Sequence, residues 1–109
     1  MAKNMGQATV KCKIERSPFS DERIFSLSLP DGSEHVGAAS YIYFTKGNKQ
    51  LKEDEPARGR PMQGAVQAII IREEGDTCLV SLPDGSVASV AKDLVKVSKE
   101  ATPDVSVQP

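Results

Sequence analysis

The sequence predicts an all-β fold of antiparallel strands, arranged as two tandem units from an internal duplication. Short segments in which apolar and polar residues alternate, the pattern of half-buried strands, recur along its length. In addition, the hexapeptide Ser-Leu-Pro-Asp-Gly-Ser occurs at residues 28–33 and again at residues 81–86. Pro presets its own φ, Asp hydrogen-bonds back to the backbone and Gly accepts a positive φ. Each copy therefore predicts a tight turn between two antiparallel strands.

The first unit is expected to span residues 8–44. Residues 8–15 alternate between apolar and polar or charged side chains and predict a half-buried strand. A polar loop broken by Pro18 follows, after which a second strand leads into the first hexapeptide. A third strand leaves that turn, and residues 41–44, Tyr-Ile-Tyr-Phe, are expected to form the closing strand.

The second unit, residues 64–98, repeats this order of strands around its own hexapeptide. Residues 94–97 are expected to be its closing strand. Matched strand patterns on both sides of a six-residue identity favour duplication over coincidence. The hexapeptides are 53 positions apart, whereas aligning Tyr41 with Val95 gives 54. This comparison predicts that one residue has been gained or lost inside a unit.

The two units are joined by residues 45–63, which are expected to form a charged linker or a mobile flap. The segment contains Pro56 and Pro61 and lacks apolar periodicity, and it is long for a connection inside a compact domain. Residues 99–109 are polar and contain two prolines. That composition predicts a disordered tail.

The second unit resembles SH3-like small barrels of the KOW and Tudor type in the order and spacing of its five predicted strands. The resemblance lies in Gly64–Ile69, in Val80–Gly85, and in Val90 with Asp93–Val97. The first unit is similar but weaker. This resemblance implies a fold and no particular activity. KOW modules are usually basic and contact RNA, whereas this chain has a formal net charge of -1. Tudor domains use an aromatic cage, and the second unit contains no aromatic residue.

Composition and charge limit the partners and the cellular location that we expect for the protein. Fourteen basic residues against fifteen acidic ones produce no overall field that would draw it onto nucleic acid or anionic lipid. The only cysteines, Cys12 and Cys78, are too far apart for a Cys-x-x-Cys pair, and both fall at apolar strand positions. We expect buried, reduced thiols in a cytoplasmic protein. Because no apolar run reaches the length of a membrane span, we expect no membrane partner.

The residues needed for catalysis are sparse. His35 is the only histidine, and its position after the first hexapeptide predicts a solvent-facing strand residue. Carboxylates cluster at residues 53–55 and 73–76, in a predicted linker and a predicted turn, where solvated surface is expected. There is no glycine-rich phosphate-binding loop. We therefore expect a protein that is not an enzyme and has no cofactor and no metal site.

Aromatic residues are confined to the first unit and predict its function. Alternation along the closing strand would place Tyr41 and Tyr43 together on its outer face, beside the Phe19 loop. Exposed aromatics suit a docking surface for a protein or peptide partner, so we assign partner binding to Phe19, Tyr41 and Tyr43. In an alternative, these tyrosines pack against the second unit or against a second copy in a structural homo-oligomer.

A further alternative is a KOW-like protein that binds RNA or DNA. Lys11 and Lys13 share one face of the first predicted strand, and Arg16 follows it. Such a row could contact phosphates beside the tyrosines. Neighbouring acids, including Asp21 and Glu22, dilute this patch. Strong salt dependence of binding would distinguish phosphate contacts from peptide docking.

Overall fold

The computed structural model describes residues 6–97, so the predicted tail lies outside the described residues. Residues 6–97 form nine antiparallel strands in one sheet and contain no α-helix. The prediction of an antiparallel all-β protein is therefore confirmed. The sheet is not closed, and it contains strands from both predicted units.

The strands are β1 Gln7–Arg16, β2 Glu22–Ser28, β3 Glu34–Ser40, β4 Phe44–Lys46, β5 Lys49–Gln50, β6 Met62–Glu74, β7 Thr77–Ser81, β8 Val87–Ala91 and β9 Val95–Val97. Two single turns of 3-10 helix, Tyr41–Tyr43 and Lys92–Leu94, precede β4 and β9 respectively.

Strands β1 and β6 form the centre of the sheet. They pair antiparallel from Gln7 opposite Ile69 to Ile14 opposite Met62. The other side of β1 carries β9 at its beginning and β2 at its end. The other side of β6 carries β4 and β7 in the same way. We call β1–β5 the first half and β6–β9 the second half. Strand β4 of the first half therefore pairs with β6, the first strand of the second half, and β9 of the second half pairs with β1, the first strand of the first half.

The core lies on one face of this central pair. Alternate residues of β1 and β6 are buried there and pack against apolar side chains of the outer strands. Those of the central pair are Ala8, Val10, Cys12, Ile14, Val66, Ala68 and Ile70. The half-buried strand expected at residues 8–15 is thus confirmed. Both cysteines are buried and form no disulfide, as predicted.

The two hexapeptides form turns of the same geometry. In each, the Gly amide donates to the Leu carbonyl at 3.0 Å, and the Leu amide donates to the carbonyl of the final Ser at 2.9 Å. Gly32 and Gly85 have φ values of 92° and 90°, which suit glycine. The predicted tight turns are confirmed.

The first predicted closing strand, residues 41–44, is wrong in its bounds, whereas the second, residues 94–97, is confirmed to within one residue. Tyr41–Tyr43 form a 3-10 turn, whose Ser40 Oγ accepts a hydrogen bond from the Ile42 amide at 3.4 Å, and the strand begins only at Phe44. Val95 begins β9 after an equivalent turn. Phe44 and Val95 are 51 positions apart, whereas the hexapeptides are 53 apart. The second half therefore has two residues fewer after its hexapeptide, and the predicted difference of one residue is wrong.

Residues 45–63, expected to form a linker, carry β5 and contact the body of the sheet. Leu51 and Pro56 are buried. The guanidinium of Arg23, which has no exposed surface, donates to the carbonyls of Glu53 at 2.6 Å and Glu55 at 2.7 Å. A buried guanidinium must have its donors satisfied, so these bonds fix the segment beside β2.

Candidate binding trough on the outer face of the central strands

The outer face of β1 and β6 carries the side chains that alternate with the buried ones. Thr9 lies opposite Gln67, and Lys11 lies opposite Ala65. On the flanks, Lys96 of β9 lies opposite Thr9, and Thr45 of β4 lies opposite Ala65. These rows form the floor of a surface four strands wide, in the order β9, β1, β6, β4.

This surface is concave. The Lys96 amine donates to Asn48 Oδ1 at 3.2 Å, although β1 and β6 lie between β9 and the turn that holds Asn48. In a flat sheet, β9 and β4 would be roughly 14 Å apart, at about 4.8 Å per strand. Curvature of the twisted sheet brings the two flanks together, so the outer face forms a trough.

The trough has two lobes, which share Thr9 and Thr45. One, of about 430 Å³, is the polar lobe. The other, of about 390 Å³, is the aromatic lobe. The polar lobe is lined by Lys11, Lys96, Asn48, Gln63 and Asp93 among others. The aromatic lobe is lined by Tyr43, Ile69, Gln67, Leu82 and Pro83 among others.

The aromatic lobe exposes large apolar side chains. Tyr43, at the end of the first 3-10 turn, is 38% exposed, and Ile69 of β6 is 43% exposed. Pro83 of the second hexapeptide completes this apolar wall above the buried Leu82. Residues from both halves of the chain therefore build one apolar patch, which the sequence prediction of a site on the first unit alone did not include.

The polar lobe carries two amines. Lys96 is opposite Thr9, so Lys11, two residues further along β1, is its diagonal neighbour. Diagonal residues lie about 7–8 Å apart at Cα. Within residues 6–97, no carboxylate lies within 4.0 Å of either amine. Asp93 also lines this lobe.

Close packing of β4 on β6 shapes the lobe floor at Gly64. A Cβ there would lie 2.6 Å from the Thr45 carbonyl oxygen and 2.7 Å from Ile14 Cδ1. Neither distance is tolerable for real atoms, so only glycine fits at this point. Ile14 belongs to the core, so a side chain at Gly64 would point towards the core face, and glycine there permits the close approach of β4 to β6.

The structure separates the three aromatics assigned to partner binding. Tyr43 lines the aromatic lobe, whereas Phe19 and Tyr41 line neither lobe. Phe19 is 66% exposed in the loop between β1 and β2. Tyr41 is half-buried against the core, and its ring centroid lies 5.5 Å from Arg23 Cζ in a cation–π contact. Its predicted outward position is wrong because it lies in a 3-10 turn and not in a strand.

The three basic residues of the nucleic-acid alternative are also separated. Lys11 and Lys13 share the exposed face of β1, as predicted. Lys13 lies 3.5 Å from the Glu15 carboxylate. The Arg16 guanidinium instead donates to the Pro56 carbonyl at 2.9 Å, which helps hold residues 45–63 on the sheet. Arg16 has a structural contact and does not extend the lysine row.

His35 is not the solvent-facing residue that the sequence predicts. Its Nε2 lies 3.0 Å from Asp84 Oδ2 and 3.1 Å from Ser86 Oγ, both in the second hexapeptide. The Ser86 hydroxyl donates to Asp84 Oδ1. This cluster differs from a nucleophilic triad, in which serine and carboxylate contact opposite nitrogens of the imidazole. Here both oxygens approach the same nitrogen, so the cluster is a structural contact that joins β3 to the second hexapeptide.

The environment of Asp84 keeps it charged. Burial raises the pKa of its carboxyl, but hydrogen bonds from Ser86 and His35 outweigh burial and lower the pKa below its ordinary value. The carboxylate lies against β3 at Gly37, where a Cβ would be 2.1 Å from Asp84 Oδ2. A glycine in β3 is thus required to admit the turn.

Residues 6–97 contain no group of three or more His, Cys, Asp or Glu side chains placed to hold a metal ion. Burial raises the pKa of the Cys12 thiol to about 12. In the same residues, no helix is long and apolar enough to cross a membrane.

Comparison with known proteins adds no assignment: no protein-family model, no curated protein and no solved structure matches this chain. The fold and the site define the class of protein: it is a small antiparallel β domain with an open trough along the outer face of its central strands.

Proposed function

We propose that this chain is a non-enzymatic binding module that holds an extended segment of a protein partner in the trough. The observation that carries this proposal is the exposed pair Tyr43 and Ile69, which converge with Pro83 at one end of an otherwise polar floor. Aromatic and aliphatic side chains in a concave site supply binding energy. Thr9 and Gln67 supply hydrogen-bonding groups for an extended main chain.

The imidazole and the two thiols, the side chains best suited to catalysis, are hydrogen-bonded or buried, which supports a non-enzymatic role. The imidazole of His35 is held against Asp84 and Ser86, and Cys12 and Cys78 are buried. A catalytic thiol requires a lowered pKa and access to solvent, and these thiols have neither. Two buried thiols that are not joined in a disulfide also suit the reducing conditions of the cytoplasm, which we propose as the location.

We further infer that the two halves are duplicated SH3-like units of the KOW and Tudor type that have exchanged their closing strands. Val10 lies directly opposite Val66 in the central pair. Val95 pairs with Val10 as Phe44 pairs with Val66, so a two-fold axis through the Val10–Val66 pair would relate the halves. The two strands that flank each hexapeptide also pair in the same register in both hairpins. Exchange of identical elements is a common route from separate units to an intertwined body.

The experiment uses a displayed random peptide library selected on the full chain. Selected peptides are then titrated by calorimetry against the wild type and a Tyr43→Ala, Ile69→Ser double variant. The matched control, Phe19→Ala with Val36→Ser, removes two exposed apolar side chains that line neither lobe. We expect binding to be lost in the trough variant and retained in the control. Equal binding to the wild type and the trough variant, or no selected peptide, would overturn the proposal.

A second candidate function is nucleic-acid binding. It is favoured by Lys11 and Lys13, which share an exposed face of β1, and by Lys96 on the neighbouring strand. Phosphate contacts release counterions, so affinity for a short oligothymidylate should fall steeply as salt rises. An affinity independent of salt, or no binding at low salt, would remove this candidate.

A further inference from the structure

We propose that the polar lobe binds the carboxylate of an acidic residue, so that the partner segment carries an acidic side chain about four residues from an apolar one. This inference rests on the proposed peptide-binding function and names the chemistry of its ligand. It follows from the charges of the lobe, from its neutral donors, and from the distance between the two lobes.

The polar lobe is lined by two lysines, Lys11 and Lys96. Three lysines have carboxylates nearby: Lys13 at 3.5 Å from Glu15, Lys92 at 3.4 Å from Glu73, and Lys46 at 4.0 Å from Glu55. Lys49 and Lys52 have none within 4.0 Å among residues 6–97, but neither lines the polar lobe. Within residues 6–97, Lys11 and Lys96 have no such neighbour and are diagonal to one another. Two adjacent ammonium groups repel, and an anion placed between them offsets that repulsion.

Neutral donors complete the lobe. Asn48 has a φ of 71°, a left-handed conformation that asparagine tolerates, and it holds its side chain at the rim. Its Oδ1 accepts a hydrogen bond from Lys96, so the group that it can offer to a ligand is the amide NH2. The amide of Gln63 and the hydroxyl of Thr45 also line the lobe. These groups suit the oxygens of a carboxylate.

The same lobe disfavours a polyanion. Asp93 lines it as well, so two ammonium groups and one carboxylate leave the lobe with a single net positive charge. The aromatic lobe has no charged lining residue and one aromatic ring, that of Tyr43. Single-stranded nucleic acid favours a continuous positive groove with several stacking rings. One acidic side chain followed by an apolar anchor matches this distribution better.

The spacing follows from the register of β1. Ile69, at the apolar end, is opposite Gln7, which is four residues from Lys11. At about 3.3 Å per residue, the two ends of the trough are roughly 13 Å apart along β1. An extended peptide covers the same distance in about four residues.

The test is a set of otherwise uncharged peptides that carry one Glu and one Leu at increasing separation. Each peptide is titrated against the full chain by calorimetry, beside analogues with Gln in place of Glu. We expect the highest affinity near a four-residue separation. We also expect the preference for Glu over Gln to fall about threefold to tenfold in Lys11→Gln and Lys96→Gln. Lys49→Gln, an exposed lysine outside both lobes, is the matched control.

Failure of this inference is distinct from failure of the proposed function. If Tyr43→Ala with Ile69→Ser abolishes peptide binding but Glu and Gln peptides bind equally well, the trough is a peptide site and the carboxylate assignment is wrong. If neither set of variants changes peptide binding, both proposals fail. Displacement of bound peptide by a short oligothymidylate at low salt, with no effect of replacing Glu by Gln, would overturn the inference in favour of nucleic acid. Amide NMR spectra verify that each variant is folded.

Discussion

His35 of β3 and Asp84 of the second hexapeptide lie 3.0 Å apart, although 49 positions separate them in the chain. The contact ties an edge strand of the first half to a turn of the second half. The first hexapeptide has no equivalent contact, because its Asp31 is exposed and bonds only to Ser33 among the described residues. Two turns of identical sequence thus have different environments, which allows matched substitutions.

We expect Asp84→Asn to lower the free energy of unfolding by about 1–3 kcal/mol, because it removes the charge that faces the partly buried His35. The Asp84 side chain is 13% exposed, so solvent screens the contact only weakly. Asp31→Asn makes the same chemical change in an exposed turn and should have little effect. Urea denaturation of both variants measures the difference. Equal losses in the two variants would show that the His35 contact contributes nothing.

The contribution of Asp84 should depend on pH in the acid range. Its folded pKa is lowered from an ordinary value of 3.8, since the bonds from Ser86 and His35 outweigh burial. A carboxylate with a depressed folded pKa contributes stability that is present above the unfolded pKa and lost as pH falls through the folded pKa. We therefore expect the difference in unfolding free energy between wild type and Asp84→Asn to shrink below pH 3.8. A difference that stays constant throughout acid denaturation would contradict this prediction.

Gly37 should be intolerant of any side chain. A Cβ there would lie 2.1 Å from Asp84 Oδ2 and 2.9 Å from Phe25 Cζ. We expect Gly37→Ala to lower the free energy of unfolding by about 1–3 kcal/mol, as overpacking does. Asp84→Ala should relieve part of the clash, so a double-mutant cycle measured by urea denaturation should show coupling between the two sites. If the losses in unfolding free energy from the two substitutions are additive, Asp84 does not pack against Gly37.

The local parts of this fold could be predicted from the sequence, and the long-range parts could not. The hexapeptide turns and the alternation of β1 depend on neighbouring residues, so both were correctly predicted. Tyr41–Tyr43 were assigned to a strand because a short apolar run does not distinguish a strand from a helical turn. The trough depends on the pairing of β1 with β6, which no local pattern specifies. Thr45 and Lys96 become neighbours of that pair only because β4 pairs with β6 and β9 pairs with β1.

Arg23 is a clear case of such a long-range role. It stands at the end of a polar stretch that predicts a loop, yet it lies in β2 with no exposed surface. Its four hydrogen bonds go to backbone carbonyls, two of them in residues 45–63. No periodicity could reveal this, because the acceptors at Glu53 and Glu55 are main-chain atoms of a distant segment.

We expect Arg23→Ala to destabilise the protein by about 2–4 kcal/mol, because it removes a fully buried side chain together with its four hydrogen bonds to backbone carbonyls. The effect should be largest in residues 45–63. Hydrogen exchange at the Leu51 amide, which donates to the Phe44 carbonyl at 2.9 Å, reports on that segment. Arg58→Ala, at an exposed position of the same segment, is the control. Unchanged exchange at Leu51 in Arg23→Ala would show that other contacts hold the segment.

The buried thiols should be unreactive until the core opens. Burial raises the pKa of the Cys12 thiol to about 12, so at neutral pH the reactive thiolate is scarce. We expect the single-thiol variant Cys78→Ser to react with an aromatic disulfide reagent only as fast as the protein unfolds. Cys12 lies on the core face of β1, packed in the hydrophobic core, so exposing its thiol requires the core to open. Its labelling rate in increasing urea therefore measures the opening of the core beneath the central strands. Rapid labelling without denaturant would show that the core opens locally, and would contradict this prediction.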